Sequence, residues 1–160
     1  MQFFKSISIL ALAAQALAGV TQYQFFVKSD NEEINGRGLY HHVVNEASAI
    51  DYYFVSNNDA DTSASIVSYD DQQQVFFFQY SPSVTYYVRE LGNILQFRQG
   101  PALKASIGDD GFVSFPGSDS LRAKKDIHDP ENYSKNNYAV IVDGQSDGIP
   151  FTIEARTYAA

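Results

Sequence analysis

The sequence predicts an all-β fold, on three observations. Short runs rich in β-branched and aromatic residues follow one another along residues 19–160, and such residues suit a pleated, half-buried surface. Turn-forming clusters separate the runs at residues 29–30, 35–38, 57–61, 108–111 and 143–148. No run longer than a turn or two repeats its apolar residues at the 3.6-residue period of a helix.

The first strand is expected over 21–29 (TQYQFFVKS), where Phe25 and Phe26 must point to opposite faces because side chains alternate along a strand. GRGLYHHVV (36–44) comes next and carries the adjacent His41 and His42, followed by AIDYYFVS (49–56) and SASIVSY (63–69). In QQVFFFQY (73–80), Phe76, Phe78 and Tyr80 share one face, while Phe77 shares the other with Gln73 and Gln79. The larger aromatic set is expected to face the core, with Tyr80 completing its row. SVTYYVRE (83–90), NILQF (93–97), ALKASI (102–107) and GFVSFPG (111–117) continue the series. SLRAKK (120–125), YAVIVDG (138–144) and IPFTIEARTY (149–158) end it. Residues 118–136 are the exception and are read as a short helix or a long loop.

About a dozen short strands in about 140 residues exceed a simple seven-strand sandwich, and a β-trefoil-like domain is expected, with a larger β-sandwich as the alternative. No sequence repeat of fixed period is evident, so the trefoil expectation rests on strand number and length. No low-complexity stretch or composition break marks a second domain, so residues 19–160 read as one unit.

Residues 1–18 have the three-part plan of a secretory signal peptide. Lys5 supplies the positive charge, SISILALAA (6–14) the apolar stretch, and Ala16 and Ala18 the small residues before a cleavage point. The apolar stretch is shorter than the roughly 20 residues that span a bilayer. Secreted material is therefore expected to begin at or near Gly19. Intact-mass analysis checks this, and a chain that retains residues 1–18 would refute it. The chain ends in EARTYAA (154–160) without an apolar tail, so no lipid-anchor signal is expected and the mature protein is read as soluble.

There is no cysteine, which excludes disulfide staples and thiol chemistry and leaves stability to the core. Without residues 1–18, 10 basic residues face 19 acidic ones, a net charge of −9. Such a balance repels nucleic acid and anionic lipid, so neither is an expected partner.

No catalytic or metal site assembles from the sequence, and no cofactor is expected. His41 and His42 fall in a strand and face opposite ways, so they cannot share a metal. No HExxH or G-x-S-x-G context is present. Asp70–Asp71 and Asp109–Asp110 read as turn residues rather than the two facing carboxylates of a glycosidase. Asn57, Asp59 and Asp61 alternate as in a calcium loop, but Thr62 replaces the required Gly and Ser68 the bidentate Glu. Lys124–Lys125 is dibasic, yet lies at the end of a structured run, where cleavage is not expected.

Two sets of residues remain. Asn132-Tyr133-Ser134 is the sole N-glycosylation sequon, set between loop-like neighbours, and Asn132 is the expected acceptor. The aromatic doublets must each split between two faces. Tyr52, Tyr53, Tyr86 and Tyr87 are the candidates for stacking on sugar rings, since a tyrosine offers an apolar face with a polar handle.

DNEEINGRGLYHHVVNEASAIDYYFVS (30–56), SIGDDGFVSF (106–115), DIHDPENYSKNNYAVIV (126–142) and IPFTIEA (149–155), in that order, resemble the small cell-wall mannoproteins of Candida-type yeasts. The resemblance implies a secreted, glycosylated, non-enzymatic fungal surface protein with a structural or host-interaction role. Its implied partners are cell-wall polysaccharide or other wall glycoproteins. Members are mostly wall-linked through a lipid-anchor signal, so retention here is expected to be non-covalent if it occurs. A carbohydrate-binding module or secreted lectin is the alternative function, and a glycosidase built on paired carboxylates is the third.

Overall fold

The computed structural model describes residues 19–58, 63–118, 120–142 and 147–159. Residues 1–18, expected to be a signal peptide, and residues 59–62, which include the end of the NNDAD turn, lie outside the described residues, as do 119, 143–146 and 160.

Among the described residues twelve strands form, and each falls within or beside one of the expected runs: β1 (Val20–Lys28), β2 (Leu39–Asn45), β3 (Ile50–Val55), β4 (Ile66–Asp70), β5 (Val75–Ser81) and β6 (Val84–Leu91). β7 (Ile94–Arg98), β8 (Ser106–Ile107), β9 (Val113–Ser114), β10 (Leu121–Lys124), β11 (Ala139–Val142) and β12 (Ile149–Thr157) complete the set. The helix considered for 118–136 reduces to a three-residue 3-10 turn at Tyr133–Lys135.

Ten of the strands join one sheet in the order β10-β12-β1-β4-β5-β6-β7-β11-β3-β2. Pairing of β10 with β11 closes that order on itself, and β3 pairs with β7 as well, so nine strands make a barrel-like ring with β2 on the outer edge of β3. β8 and β9 form a separate small hairpin. The pairing supports neither a threefold arrangement nor two stacked sheets. Closure pairs both sides of the ring strands and leaves β2 as the sheet's edge.

Local chemistry explains the tight corners. Gly92 and Asn93 both have positive φ, 61° and 66°, which a two-residue hairpin between twisted strands requires, and Leu91 pairs with Ile94 across it. Gly38 opens β2 where a Cβ would sit 2.8 Å from that of Ala64, so only a glycine lets the two backbones approach.

The inner face carries the core. Phe25 and Val27 of β1, Tyr53 and Val55 of β3, Phe76 of β5, Val88 of β6, and Leu95 and Phe97 of β7 are buried together. Phe25 meets the edge of Phe76 at 4.8 Å and tilts against Tyr53 at 5.9 Å. Burying each such side chain contributes roughly 1.5–3 kcal/mol. The doublets split as period two demands. Phe25 points in, and Phe26 points out but is still covered, with the Arg156 guanidinium 3.9 Å from its ring centre. A second, smaller cluster on the outer face joins Val44, Phe54 and Ala139 to Tyr40, Tyr52 and Tyr133.

The segment after β7 docks at the Gln74 end of β5. Ala105 donates its N–H to the Gln74 carbonyl, Leu103 to that of Val88, and the Tyr69 hydroxyl to Ala105. At the other end of β5 the barrel stays open.

Candidate functional site

The open end is built from the continuation of the inner rows. On β5 the row Phe76, Phe78, Tyr80 runs from fully buried through half-buried to 63% exposed. The three rings do share a face, as expected, but Tyr80 lies beyond the core rather than in it. A register shift between Gln79 and Ser81, just before the turn to β6, carries the strand end outward. On β6, Tyr86 pairs with Phe78 and stacks on Tyr80 with ring centres 5.1 Å apart.

Opposite stand β2 and β3, where His41 pairs with Tyr53 and Val43 with Asp51. Leu39, His41 and Val43 thus form the inner row of β2, and Val55, Tyr53 and Asp51 that of β3. Asp51 is only 4% exposed, and its Oδ2 lies 2.8 Å from His41 Nδ1. A carboxylate only accepts, so Nδ1 carries the hydrogen of that bond. Phe97 and Phe78 hold the imidazole, at 4.9 and 5.3 Å between ring centres. Asp51 Oδ1 and the Tyr53 hydroxyl are buried without a hydrogen-bond partner among the described residues. Burial pushes the Tyr53 phenol well above its ordinary pKa, and the charge of Asp51 adds to the effect.

Between these walls lies a cleft of about 550 Å³ lined by His41, Asp51, Phe78, Tyr80 and Tyr86, with Glu46 at its lip. That volume lies in the roughly 300–1,000 Å³ range of small-ligand sites, which favour barrel mouths. His–Asp is two-thirds of an acyl-transfer triad, but no serine or threonine lines the cleft among the described residues. No group of three His, Asp or Glu residues arranged for a metal occurs among the described residues either.

The stacking candidates divide. Tyr86 lines the cleft. Tyr53 does not serve: at 1% exposure it is a core residue, because its position on β3 is inward. Tyr87 pairs with Phe77 on the outer face, with ring centres 6.5 Å apart. Tyr52, also outward, is half-buried in the second cluster, where burial first and the Asp129 charge second raise its phenol pKa. Sequence reasoning missed Tyr80, His41 and Asp51 as one set. A signal was present: Asp51 occupies an inward position in a row otherwise filled by Tyr53 and Val55.

On the outer face the loop at 126–136 is pinned by Asp129. Its carboxylate accepts the Tyr133 and Ser134 N–H groups, each at 2.8 Å, and the Ser134 hydroxyl. Tyr133 then lies flat on His42, with ring centres 3.8 Å apart, and its hydroxyl meets that of Tyr40 at 2.6 Å. Burial, with the Tyr133 hydroxyl in support, drives the Tyr40 phenol pKa far up. The two histidines thus face opposite ways, as expected, in separate roles. Asn132 is exposed at the start of the 3-10 turn, at φ 56°, a left-handed conformation that Asn tolerates.

The acidic pairs are turn residues. Asp70 Oδ1 accepts the N–H groups of Gln72 and Gln73, and Asp110 Oδ1 that of Phe112. Lys124 is paired within the sheet to Ala139, and Lys125 lies over the Tyr138 ring at 4.7 Å. Among the described residues no helix is long and apolar enough to cross a membrane.

The structure defines a closed all-β domain with an aromatic mouth, and fold alone assigns it no function. Sequence relatives go further. The chain is 36% identical to cell wall protein RHD3 of Candida albicans over 95% of its own length and 73% of that protein. It is 36% identical to cell wall protein PGA30 and 34% identical to cell wall protein PGA31 of the same yeast, over 98% of the chain in both cases. The chain belongs to this family of Candida-type cell wall proteins. It spans about half the length of PGA30 and PGA31, 55% and 53%. No family model and no solved structure matches it.

Proposed function

We propose that this chain is a secreted, non-enzymatic glycoprotein of the fungal cell wall with a structural or host-facing role. The observation that carries the reading is its identity, along nearly the whole chain, with proteins named for the cell wall. The acidic composition and the leader-like residues 1–18 support it, as does an exposed Asn132 within a sequon. Its partners are wall polysaccharide or other wall glycoproteins.

Fractionation of yeast expressing the tagged chain tests location. Recovery in the wall or medium is expected, and retention in the cytosol would sink the reading. The glycan is tested separately. Endoglycosidase should shift the mass of the secreted protein, and Asn132→Gln should abolish that shift. A shift that persists in the variant would place the sugar elsewhere.

A further inference from the structure

We infer that the barrel mouth between the Asn45–Ile50 and Ser81–Val84 turns is a binding site for a neutral pyranose ring, with Tyr80 and Tyr86 as its platform and Asp51 as its polar anchor. Three observations converge there. Tyr80 is the most exposed large hydrophobic residue described, at 63%, yet contact with Tyr86 at 5.1 Å and Phe78 at 6.3 Å fixes its ring. An exposed aromatic already held in one orientation loses little conformational freedom when a ligand covers it.

The second observation is Asp51. Its side chain lines the cleft, is 4% exposed as a residue, and has one oxygen engaged by His41 and the other unpartnered among the described residues. A buried polar oxygen without a donor is costly and calls for an explanation. Oδ1 is itself covered, so a ligand hydroxyl supplies that donor with a turn of the carboxyl group toward the cleft. The His41 ring offers Nε2 as a second polar atom on the same wall.

The third is charge. Asp51 and Glu46 on the lining, with a net charge of −8 for the whole chain, exclude a phosphate or carboxylate ligand. A cation would be drawn to the carboxylates, but an aromatic cage for one needs rings on several sides. Here Tyr86 stacks on Tyr80 at 27° and backs it, so the pair presents one flat ring face rather than a cage. A sugar ring has the matching shape: a face of C–H groups to lie on tyrosine and hydroxyls around its edge to reach Asp51 and His41. This site stands on the geometry of the mouth and not on wall location, so either reading can fail without the other.

The chain has 11 tyrosines and no tryptophan, so tyrosine fluorescence reports the site without a dominant background. The secreted protein is incubated with insoluble β-glucan, chitin and mannan, and then titrated with glucose, N-acetylglucosamine and mannose. Binding to at least one polymer, reversed by its own free sugar, is expected, and the responding sugar names the source. Tyr80→Ala, at an exposed position that leaves folding intact, should weaken binding about tenfold or more. Asp51→Asn should weaken it as well, with circular dichroism verifying the fold. Tyr87→Ala, on the opposite face of β6, should leave binding unchanged. Absence of binding to all three polymers would overturn the proposal. So would full binding by Tyr80→Ala, or displacement by tetramethylammonium but by no sugar.

Discussion

Phe76→Ala is expected to destabilise the domain by about 3–5 kcal/mol, the range for truncating a buried aromatic ring. Phe76 is 0% exposed and touches Phe25 at 4.8 Å and Tyr69 at 4.7 Å, so removing it opens a cavity that three strands line. Because the barrel is a closed ring, its walls cannot slide together to fill the gap without breaking sheet hydrogen bonds. With total stability of about 5–15 kcal/mol for a domain, the loss is a large fraction, and the thermal midpoint should fall by about 10 °C or more. Urea unfolding of the two proteins at neutral pH measures it. Phe78→Ala should cost less, about 1–2 kcal/mol, because that ring is only half-buried at the edge of the cleft. Phe77→Ala, half-buried on the outer face beside Tyr87, should fall in the same lower range. If Phe77 or Phe78 were the costliest of the three, the assignment of the inner row would be wrong.

That gradient along one strand shows what the sequence makes legible. Period two assigns Phe76, Phe78 and Tyr80 to one face from their spacing alone. It cannot say where along the strand the core stops, because that depends on which strands lie opposite. The pairing of β1 with both β4 and β12, and of β10 with β11, is set by contacts remote in the chain. The same limit explains Tyr53. Its type suited a sugar platform, but its inward parity and central position on β3 place it under Phe25 and Phe97.

The strands themselves were legible because β-branched and aromatic runs alternate with turn residues all along the chain. Barrel against trefoil was not, since both are satisfied by the same number of short strands. The site was half legible. His41 and His42 separate by parity, whereas the approach of Phe78, Tyr80 and Tyr86 to His41 and Asp51 depends on ring closure.

Asp129→Asn is expected to lower stability at pH 7 by roughly 2–4 kcal/mol, since hydrogen bonds to a charged group contribute about 1.5–3 kcal/mol and the donors left behind are buried. Asp129 is 5% exposed and Ser134 1%, so water cannot readily replace the lost acceptor. An asparagine of the same shape would turn an N–H₂ toward the N–H groups of Tyr133 and Ser134, which need an oxygen. The pH dependence follows from the direction of its titration. Burial opposes the charged form, but the Ser134 hydroxyl and the backbone N–H groups of Ser134, Tyr133 and Glu131 outweigh burial and hold the carboxyl below its ordinary pKa. With the folded value below the unfolded one, the unfolded chain binds more protons in between. The stabilisation is therefore complete above the ordinary aspartate value of about 3.9 and is lost as pH falls through the lower folded value. Urea midpoints of both proteins at pH 7 and pH 3 isolate this group, because the other carboxylates are common to the two. The gap between wild type and Asp129→Asn should narrow at pH 3. The loop should also loosen, releasing Tyr133 from His42, and the His42 ring resonances should shift toward those of a solvent-exposed histidine. Equal stability at pH 7, or a gap that does not change with pH, would mean that Asp129 does not hold the loop, and that Asn132 is presented by some other contact.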